Sequence, residues 1–407
     1  MQTNLPSSLL TTDWGKEADR ILRTCVHCGF CTATCPTYQL IGDELDGPRG
    51  RIYLIKQALE KSNATEKTLK HLDRCLTCRS CETTCPSGVR YHNLLQTGKA
   101  VVEAHVPRPF TQRLLRRGML TLLPYPARFA PLFRLGMLFK PLLPGVLRQK
   151  IPVVHPAGER PSATHLRRVI LFEGCVQSVV AQSINAATSR VLDRLGIACI
   201  QAQGEGCCGA VHNHMSATAT GAAIAKRNID SWLPHLDVGA EAIVATASAC
   251  GLEIREYPEL LKHDPAYAQK AVRVASAVVD IGEFLSGTDT SDLRLADGAP
   301  EISFHAPCTL QHGLKQPGSV EALLQKLGFG VRMPRDAHLC CGSAGTYSVL
   351  HPQIATQLRD DKLGKLGAGE ADVIATANIG CMMHLQSGTD TEVRHWIEIL
   401  DASLESG

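Results

Sequence analysis

Two kinds of apolar spacing divide the chain. After Pro48, Ile52, Ile55 and Leu59 recur at three- and four-residue intervals. That spacing predicts a helix with one buried face, starting near Asp46 with proline in its first turn. His92, Leu95 and Val102 predict a second helix behind Pro86. From about residue 166 the pattern changes to short apolar runs alternating with helical periodicity. Residues 168–172 read as a strand. Ala187, Val191 and Leu195 predict a helix ending near Gly196, 196–200 (GIACI) a second strand and 242–245 a third. The order recurs downstream, with a strand at 302–304, a helix over 322–327 closed by Gly328 and a strand at 373–375. Single strands alternating with helices predict parallel α/β sheets.

Between these regions lies a stretch with another character. Residues 104–170 hold 12 Lys or Arg and one acid, Glu159, so the rest of this +3 chain carries −8. The stretch is also apolar, but Arg128, Arg134, Lys140 and the prolines at 124, 126, 131, 141 and 144 interrupt it. No apolar run reaches the roughly 18–20 residues that span a bilayer. Two readings stand: a linker of short helices, or a basic apolar surface that docks on anionic lipid or a partner subunit. Charge without a recognition motif gives no case for nucleic-acid binding.

Cysteine changes the picture most. Cys25, Cys28, Cys31 and Cys35 precede Pro36, and Cys75, Cys78, Cys81 and Cys85 precede Pro86. Both frames read C-x2-C-x2-C-x3-C-P, and each member of the second lies 50 residues after its counterpart. This is the ligand spacing of proteins that hold two [4Fe–4S] clusters. Zinc sites rarely add a third and fourth cysteine at such intervals, and no C-x-x-C-H marks covalent haem. The opening MQTNLPSSLLTTDWGK has no charged-then-apolar leader. The expectation is a reducing, cytoplasmic compartment rather than a disulfide framework.

A longer repeat follows. Cys175 matches Cys308, and Cys207-Cys208-Gly209 matches Cys340-Cys341-Gly342, each 133 residues on. Cys250 matches Cys381, 131 on, with AIVATASAC beside DVIATANIGC. One α/β domain therefore occurs twice, its cysteines at strand ends where α/β sheets place ligands. The expected ranges are a helical domain at 14–104, the basic segment at 105–165, and the repeats at 166–287 and 300–407, joined by a polar, turn-rich stretch. Cys199 has no repeat partner and reads as a small buried hydrophobe. His305, His384 and Glu253 neighbour the repeated cysteines without recurring at matched positions.

In two-cluster ferredoxins the fourth cysteine of each frame ligates the other cluster. By that analogy Cys25, Cys28, Cys31 and Cys85 hold one cluster, and Cys75, Cys78, Cys81 and Cys35 the other. The repeat resembles the cysteine-rich CCG domains of heterodisulfide reductase and related subunits, some of which bind iron–sulfur clusters. Their motif ends in a CxxC pair. Here Cys250-Gly-Leu-Glu253 and Cys381-Met-Met-His384 lack its second cysteine. Four cysteines per copy still suffice for an ordinary cluster or a zinc ion, so Cys175, Cys207, Cys208, Cys250, Cys308, Cys340, Cys341 and Cys381 stay candidates beside structural thiols.

The whole text is similar to the iron–sulfur subunits of glycolate oxidase. CVHCGFCTATCPTYQLIGDELDGPRGRIYLIKQ, HLDRCLTCRSCETTCPSGVRYHNLL, EGCCGAV, CTLQH, HLCCGSAGTY, TANIGC and RHWIEI carry the likeness. It implies an α-helical ferredoxin domain followed by two α/β CCG domains, two [4Fe–4S] clusters, and further iron–sulfur or zinc at the CCG sites. It also implies FAD-containing partner subunits that oxidise glycolate to glyoxylate and a quinone or membrane acceptor; the basic stretch adds the expectation of peripheral association, directly or through the complex, with the inner face of the cytoplasmic membrane. Related subunits serve lactate, glycerol-3-phosphate and heterodisulfide chemistry. No G-x-G-x-x-G opens a helix after a strand and no nucleophile–base motif is evident, so substrate chemistry is expected on another chain. A thiol–disulfide role for the paired cysteines is disfavoured because adjacent cysteines seldom form an unstrained bridge.

Overall fold

The computed structural model describes residues 1–61, 64–142, 154–367 and 369–405. Contacts divide the chain into two compact units, Met1–Arg116 with His338–Lys362, and Arg117–Ala337 with Leu363–Gly407.

The described residues of the first unit contain helices and no strand. Helix Asp13–Thr24 starts at Thr12, whose hydroxyl accepts from the Gly15 amide at 3.1 Å, and turns Ala18, Ile21 and Leu22 inward. Such a cap is worth about 1 kcal/mol. Helix Pro48–Lys61 has proline as its first residue and buries Ile52, Ile55 and Leu59, as their spacing predicts. Helix Tyr91–His105 buries Leu94, Leu95 and Val102 against it. Gly98 lets these two helices approach: a Cβ there would lie 2.5 Å from Ile55 Cγ1. Each fully buried leucine or isoleucine contributes roughly 1.5–3 kcal/mol. Arg51 sits on the same helix, buried like the isoleucines around it. Apolar periodicity gives no hint of it.

The second unit holds two four-stranded parallel sheets. The first has order β2-β1-β3-β4, with β1 Arg167–Phe172, β2 Ile197–Ile200, β3 Ile243–Ala245 and β4 Val278–Asp280. The second repeats it as β6-β5-β7-β8, with β5 Ile302–His305, β6 Val331–Arg332, β7 Val373–Thr376 and β8 Val393–His395. Ile170 pairs with Ile200 on one side and Ile243 on the other, while Ile302 pairs with Val331 and Val373. Central parallel strands are covered on both faces, which is why they read as unbroken apolar runs. Sequence reasoning missed β6, of two residues, and also β4 and β8, whose VVD and VRH lack the unbroken apolar text of β3. β4 and β8 each end in a polar residue that caps the next helix: Asp280 accepts from the Gly282 amide at 2.9 Å, and His395 from the Ile397 amide at 3.3 Å. The copies are tied together within this unit. His395 Nε2 lies 2.8 Å from the Thr246 carbonyl, and Arg190 pairs with Asp401 at 2.6 Å.

The basic stretch forms helices Phe110–Leu122 and Pro126–Phe139. Its residues 143–153, with Pro144, Arg148 and Lys150, lie outside the described residues. Part of its charge is spent internally. Arg108 pairs with Asp73 at 2.6 Å, Arg160 with Glu173 at 2.6 Å and Arg167 with Glu241 at 2.8 Å. Leu132, Leu135, Leu138 and Phe139 are exposed on helix Pro126–Phe139, among Arg128 and Arg134. No helix among the described residues is long and apolar enough to cross a membrane.

Candidate metal centres

The two cysteine frames build loops of one shape. His27 and Gly29 have φ of +58° and +88°; 50 residues on, Thr77 and Arg79 have +53° and +62°. A β-branched residue rarely adopts that conformation, so Thr77 marks a backbone dictated by the loop. The left-handed turn brings the Thr77 amide to 3.5 Å from Cys75 Sγ, as an N–H donor to sulfur.

These loops line two cavities, of about 390 and 440 Å³. Cys35, Cys75, Cys78 and Cys81 face the first; Cys25, Cys28, Cys31 and Cys85 face the second, with Cys81 also on its wall. The fourth cysteine of each frame thus crosses to the other frame's cavity. Pro48, Cys81 and Tyr91 line both, so the cavities adjoin.

The thiols around each cavity are crowded and largely withdrawn from water. Burial pushes the Cys31 thiol up to about 11, with Cys25 and Cys85 adding to the rise. Cys81 is pushed well above the usual thiol range by burial and then by Cys78, Cys75 and Cys35. Packed thiols resist sharing negative charge; coordination to a metal deprotonates them outright.

The surroundings of the two cavities differ. Beside the Cys75 cavity, Arg51 is 1% exposed and lines the wall. It donates to the His71 carbonyl at 2.8 Å and to Thr37 Oγ1 at 3.1 Å, and Thr37 Oγ1 lies 3.3 Å from Cys35 Sγ. The Tyr91 hydroxyl donates to Cys75 Sγ at 3.6 Å. Buried Asp46 gathers Arg51, His71 and Arg74 at 3.5, 3.0 and 2.7 Å. Burial opposes the charge on Arg51, but Cys75, Tyr91, Cys35 and Asp46 outweigh it and hold the guanidinium's pKa above its ordinary value. Beside the Cys25 cavity the cation is Arg49, partly exposed and paired with Glu44 at 2.6 Å. Arg51, Asp46, Thr37 and Tyr91 escaped sequence reasoning. Their one signal was position, next to or between the cysteine frames.

In the first CCG copy the four cysteines follow the C-terminal ends of β1, β2 and β3, and their sulfurs form a chain of contacts: Cys175 to Cys207, Cys207 to Cys208, Cys208 to Cys250. Hydrogen bonds from Cys175 and Cys208 hold Cys207 well below the usual thiol range. Cys175 and Cys208 are pushed up in return, each first by its contact with Cys207. The turn is braced from outside. Asn228 donates to the Cys207 carbonyl at 2.8 Å and Tyr257 to the Cys208 carbonyl at 2.8 Å. Gly209, at φ +98°, aims its amide at Cys207 Sγ from 3.4 Å. Such a donor set suits zinc or an iron–sulfur cluster.

The second copy reproduces the turn: Gly342, at φ +89°, donates to Cys340 Sγ at 3.4 Å. A Cβ on Gly342 would meet the Ala355 carbonyl oxygen at 2.7 Å, so the position requires glycine twice over. Cys340 and Cys341 belong to the first compact unit, Cys308 and Cys381 to the second. Within the first unit, the Tyr347 hydroxyl donates at 3.1 Å to the carbonyl of Arg74, the residue before Cys75. In the second, Asn378 Nδ2 donates to Cys381 Sγ at 3.4 Å. His305 is buried with Nδ1 3.0 Å from Thr376 Oγ1, and Glu253 accepts from Asn213 at 2.5 Å. Cys199 is half-buried on β2, its thiol pushed up to about 11 by burial.

Helical packing around two thiol-lined cavities, followed by duplicated α/β cysteine-rich domains, defines a dicluster iron–sulfur protein. The 4Fe-4S dicluster domain family matches residues 21–89, and the cysteine-rich domain family matches 169–255 and 302–386. The glycolate oxidase iron-sulfur subunit of Escherichia coli (strain K12) is 53% identical over 406 residues, covering 100% of both chains. The chain belongs to the glycolate oxidase iron–sulfur subunit family. The probable glycolate oxidase iron-sulfur subunit of Bacillus subtilis (strain 168) is 30% identical, covering 91% of this chain and 90% of that one. Lactate utilization protein A of Bacillus licheniformis is 28% identical over 58% of this chain and 99% of its own. A crystal structure of a hypothetical protein from Helicobacter pylori shares the fold, with a TM-score of 0.52 at 11% identity over 98% of this chain and 77% of that chain.

Proposed function

We propose that this chain is the electron-transfer subunit of a glycolate-oxidising complex. Cys25, Cys28, Cys31 and Cys85 would hold one [4Fe–4S] cluster, and Cys75, Cys78, Cys81 and Cys35 the second. The observation that carries this is the convergence of eight thiols, crossed between frames, on two adjoining cavities. Such clusters supply one-electron exchange. The residues would hold them and place two hydrogen bonds on Cys75 Sγ, from the Thr77 amide and the Tyr91 hydroxyl. Oxidation of glycolate to glyoxylate belongs to an FAD-containing partner, since this chain offers no dinucleotide fingerprint or catalytic base. Electrons then go to a quinone-type acceptor.

The reading extends to location. Exposed Leu132, Leu135, Leu138 and Phe139, with Arg128 and Arg134 on the same helix, suit contact with the anionic inner face of the cytoplasmic membrane. The chain of sulfurs from Cys175 to Cys250 supports a further metal site.

Cys28→Ser and Cys78→Ser test the central reading in the assembled complex. Each is expected to abolish electron delivery to quinone while the flavin subunits still reduce an artificial dye with glycolate. Normal quinone reduction in both variants would refute it. A flavoprotein partner bleached by lactate or glycerol-3-phosphate and not by glycolate would replace the donor and leave the cluster assignment intact.

A further inference from the structure

The two cavities are equivalent in their cysteines and unequal in their charge. Around the Cys25 cavity the nearby guanidinium, Arg49, is partly in solvent and matched one-to-one by Glu44. Exposed pairs of this kind are screened and project little field. Around the Cys75 cavity two guanidiniums, Arg51 and Arg74, share the single carboxylate of Asp46, and Arg51 and Asp46 are buried almost completely. Arg51, the buried guanidinium of this cluster, faces the cavity, as does Arg79 of the second cysteine loop.

Arg51 is also mechanically fixed. The His71 carbonyl, Thr37 Oγ1 and Asp46 Oδ1 hold its nitrogens, and Thr37 in turn touches Cys35 Sγ. A buried charge that cannot rotate away acts at low effective dielectric on whatever occupies the cavity. Reduction of a cluster there adds one negative charge, taken as a single electron from the donor flavoprotein, and a fixed cation favours the reduced form.

We propose that Arg51 raises the reduction potential of the cluster held by Cys35, Cys75, Cys78 and Cys81, as a positioning residue that sets where the electron rests. This rests on the ligand assignment made above. Asp46 has the opposite influence, and Thr37 and His71 keep the guanidinium aimed.

The test is a redox titration of the full-length, cluster-loaded chain followed by EPR, with the relevant wave identified as the one lost in Cys78→Ser. Arg51→Gln is expected to lower that wave by at least tenfold in the oxidised-to-reduced ratio at fixed potential, about 59 mV for one electron. Arg51→Lys, which keeps the charge, should recover most of the shift. Asp46→Asn, which removes the opposing charge, should move the wave upward. A wave that Arg51→Gln leaves in place, equal movement of both waves, or a downward shift in Asp46→Asn would overturn the proposal. If Arg51→Gln yields no folded protein, Asp46→Asn decides alone: a rise supports the proposal and its absence refutes it. A wild-type chain without this wave would strike the ligand assignment, and the proposal with it. An intact wave that ignores both charge changes would strike only the role of Arg51.

Discussion

Gly98→Ala sets a local preference against a packing constraint, and the geometry decides between them. In a helix interior alanine is favoured over glycine by about 1 kcal/mol. A Cβ at position 98 would lie 2.5, 2.8 and 3.0 Å from Ile55 Cγ1, Cδ1 and Cγ2, against roughly 3.5–4.0 Å for relaxed carbon contacts. Ile55 is 0% exposed and has nowhere to retreat. Overpacking of this kind costs about 1–3 kcal/mol, so the net expectation is a loss of about 1 kcal/mol. The helices pushed apart carry Arg51 and Ile52 on one side and Tyr91 and His92 on the other, all on the cavity walls. The variant should therefore also shed its iron faster. Anaerobic guanidinium denaturation, followed by far-UV circular dichroism and by visible absorbance, reads both effects. Gly118→Ala is the control, since a Cβ there meets nothing within 4 Å and should gain up to about 1 kcal/mol. Ile55→Val in the Gly98→Ala background should return part of the loss. A Gly98→Ala chain as stable as Gly118→Ala would refute the reasoning.

Three further outcomes follow from named groups. Tyr91→Phe removes the hydroxyl that donates to Cys75 Sγ; at about 0.5–1.5 kcal/mol for the bond, the potential of that cluster should fall by roughly 20–65 mV in a one-electron titration, and an unchanged potential would count against the contact. Burial pushes the Asp280 carboxyl up to about 7, so its proton stabilises the native state at low pH and that advantage is lost as pH rises from about 4 to about 7; Asp280→Asn keeps the cap and should gain on wild type by about 1 kcal/mol per pH unit over that window, with a pH-independent difference in denaturation midpoint as the contrary result. Cys250→Ala should halve or better the metal retained at the first CCG copy under chelator challenge, without change in the ferredoxin EPR signals; equal retention would return those four thiols to a structural role.

Much of the fold was legible because its signals are local. Proline at the first turn, apolar residues at helical spacing, and VILF- or IVA-type runs are written in single segments, and they became helix Pro48–Lys61, β1 and β3. β4 and β8 were not, because VVD and VRH lack an unbroken apolar run like IVA, and their partners lie 35 and 19 residues upstream in β3 and β7. The eight ferredoxin cysteines announced themselves by spacing. The groups around them did not. Arg51 reads as one of the charges in GPRGRIYLIK, and nothing in that text says that Asp46, His71 and Thr37 will close around it. Nor does the sequence show that Tyr347 will bond to the carbonyl beside Cys75. Buried polar partners are chosen by three-dimensional proximity, and sequence distance hides them. In the basic stretch, composition likewise does not show that Arg108, Arg160 and Arg167 are tied to acids of the surrounding fold.

The account turns on two neighbouring clusters with exchanged fourth ligands. Iron content and EPR of the anaerobically purified full chain, alongside Cys85→Ser, test it most directly. The account predicts at least about 8 Fe per chain and spectra of the reduced protein broadened by interaction between two close clusters. In Cys85→Ser it predicts damage to the cluster of Cys25, Cys28 and Cys31, leaving the cluster of Cys75, Cys78 and Cys81 intact. About 4 Fe per chain in the wild type, or a Cys85→Ser chain that loses the Cys75 cluster instead, would contradict it.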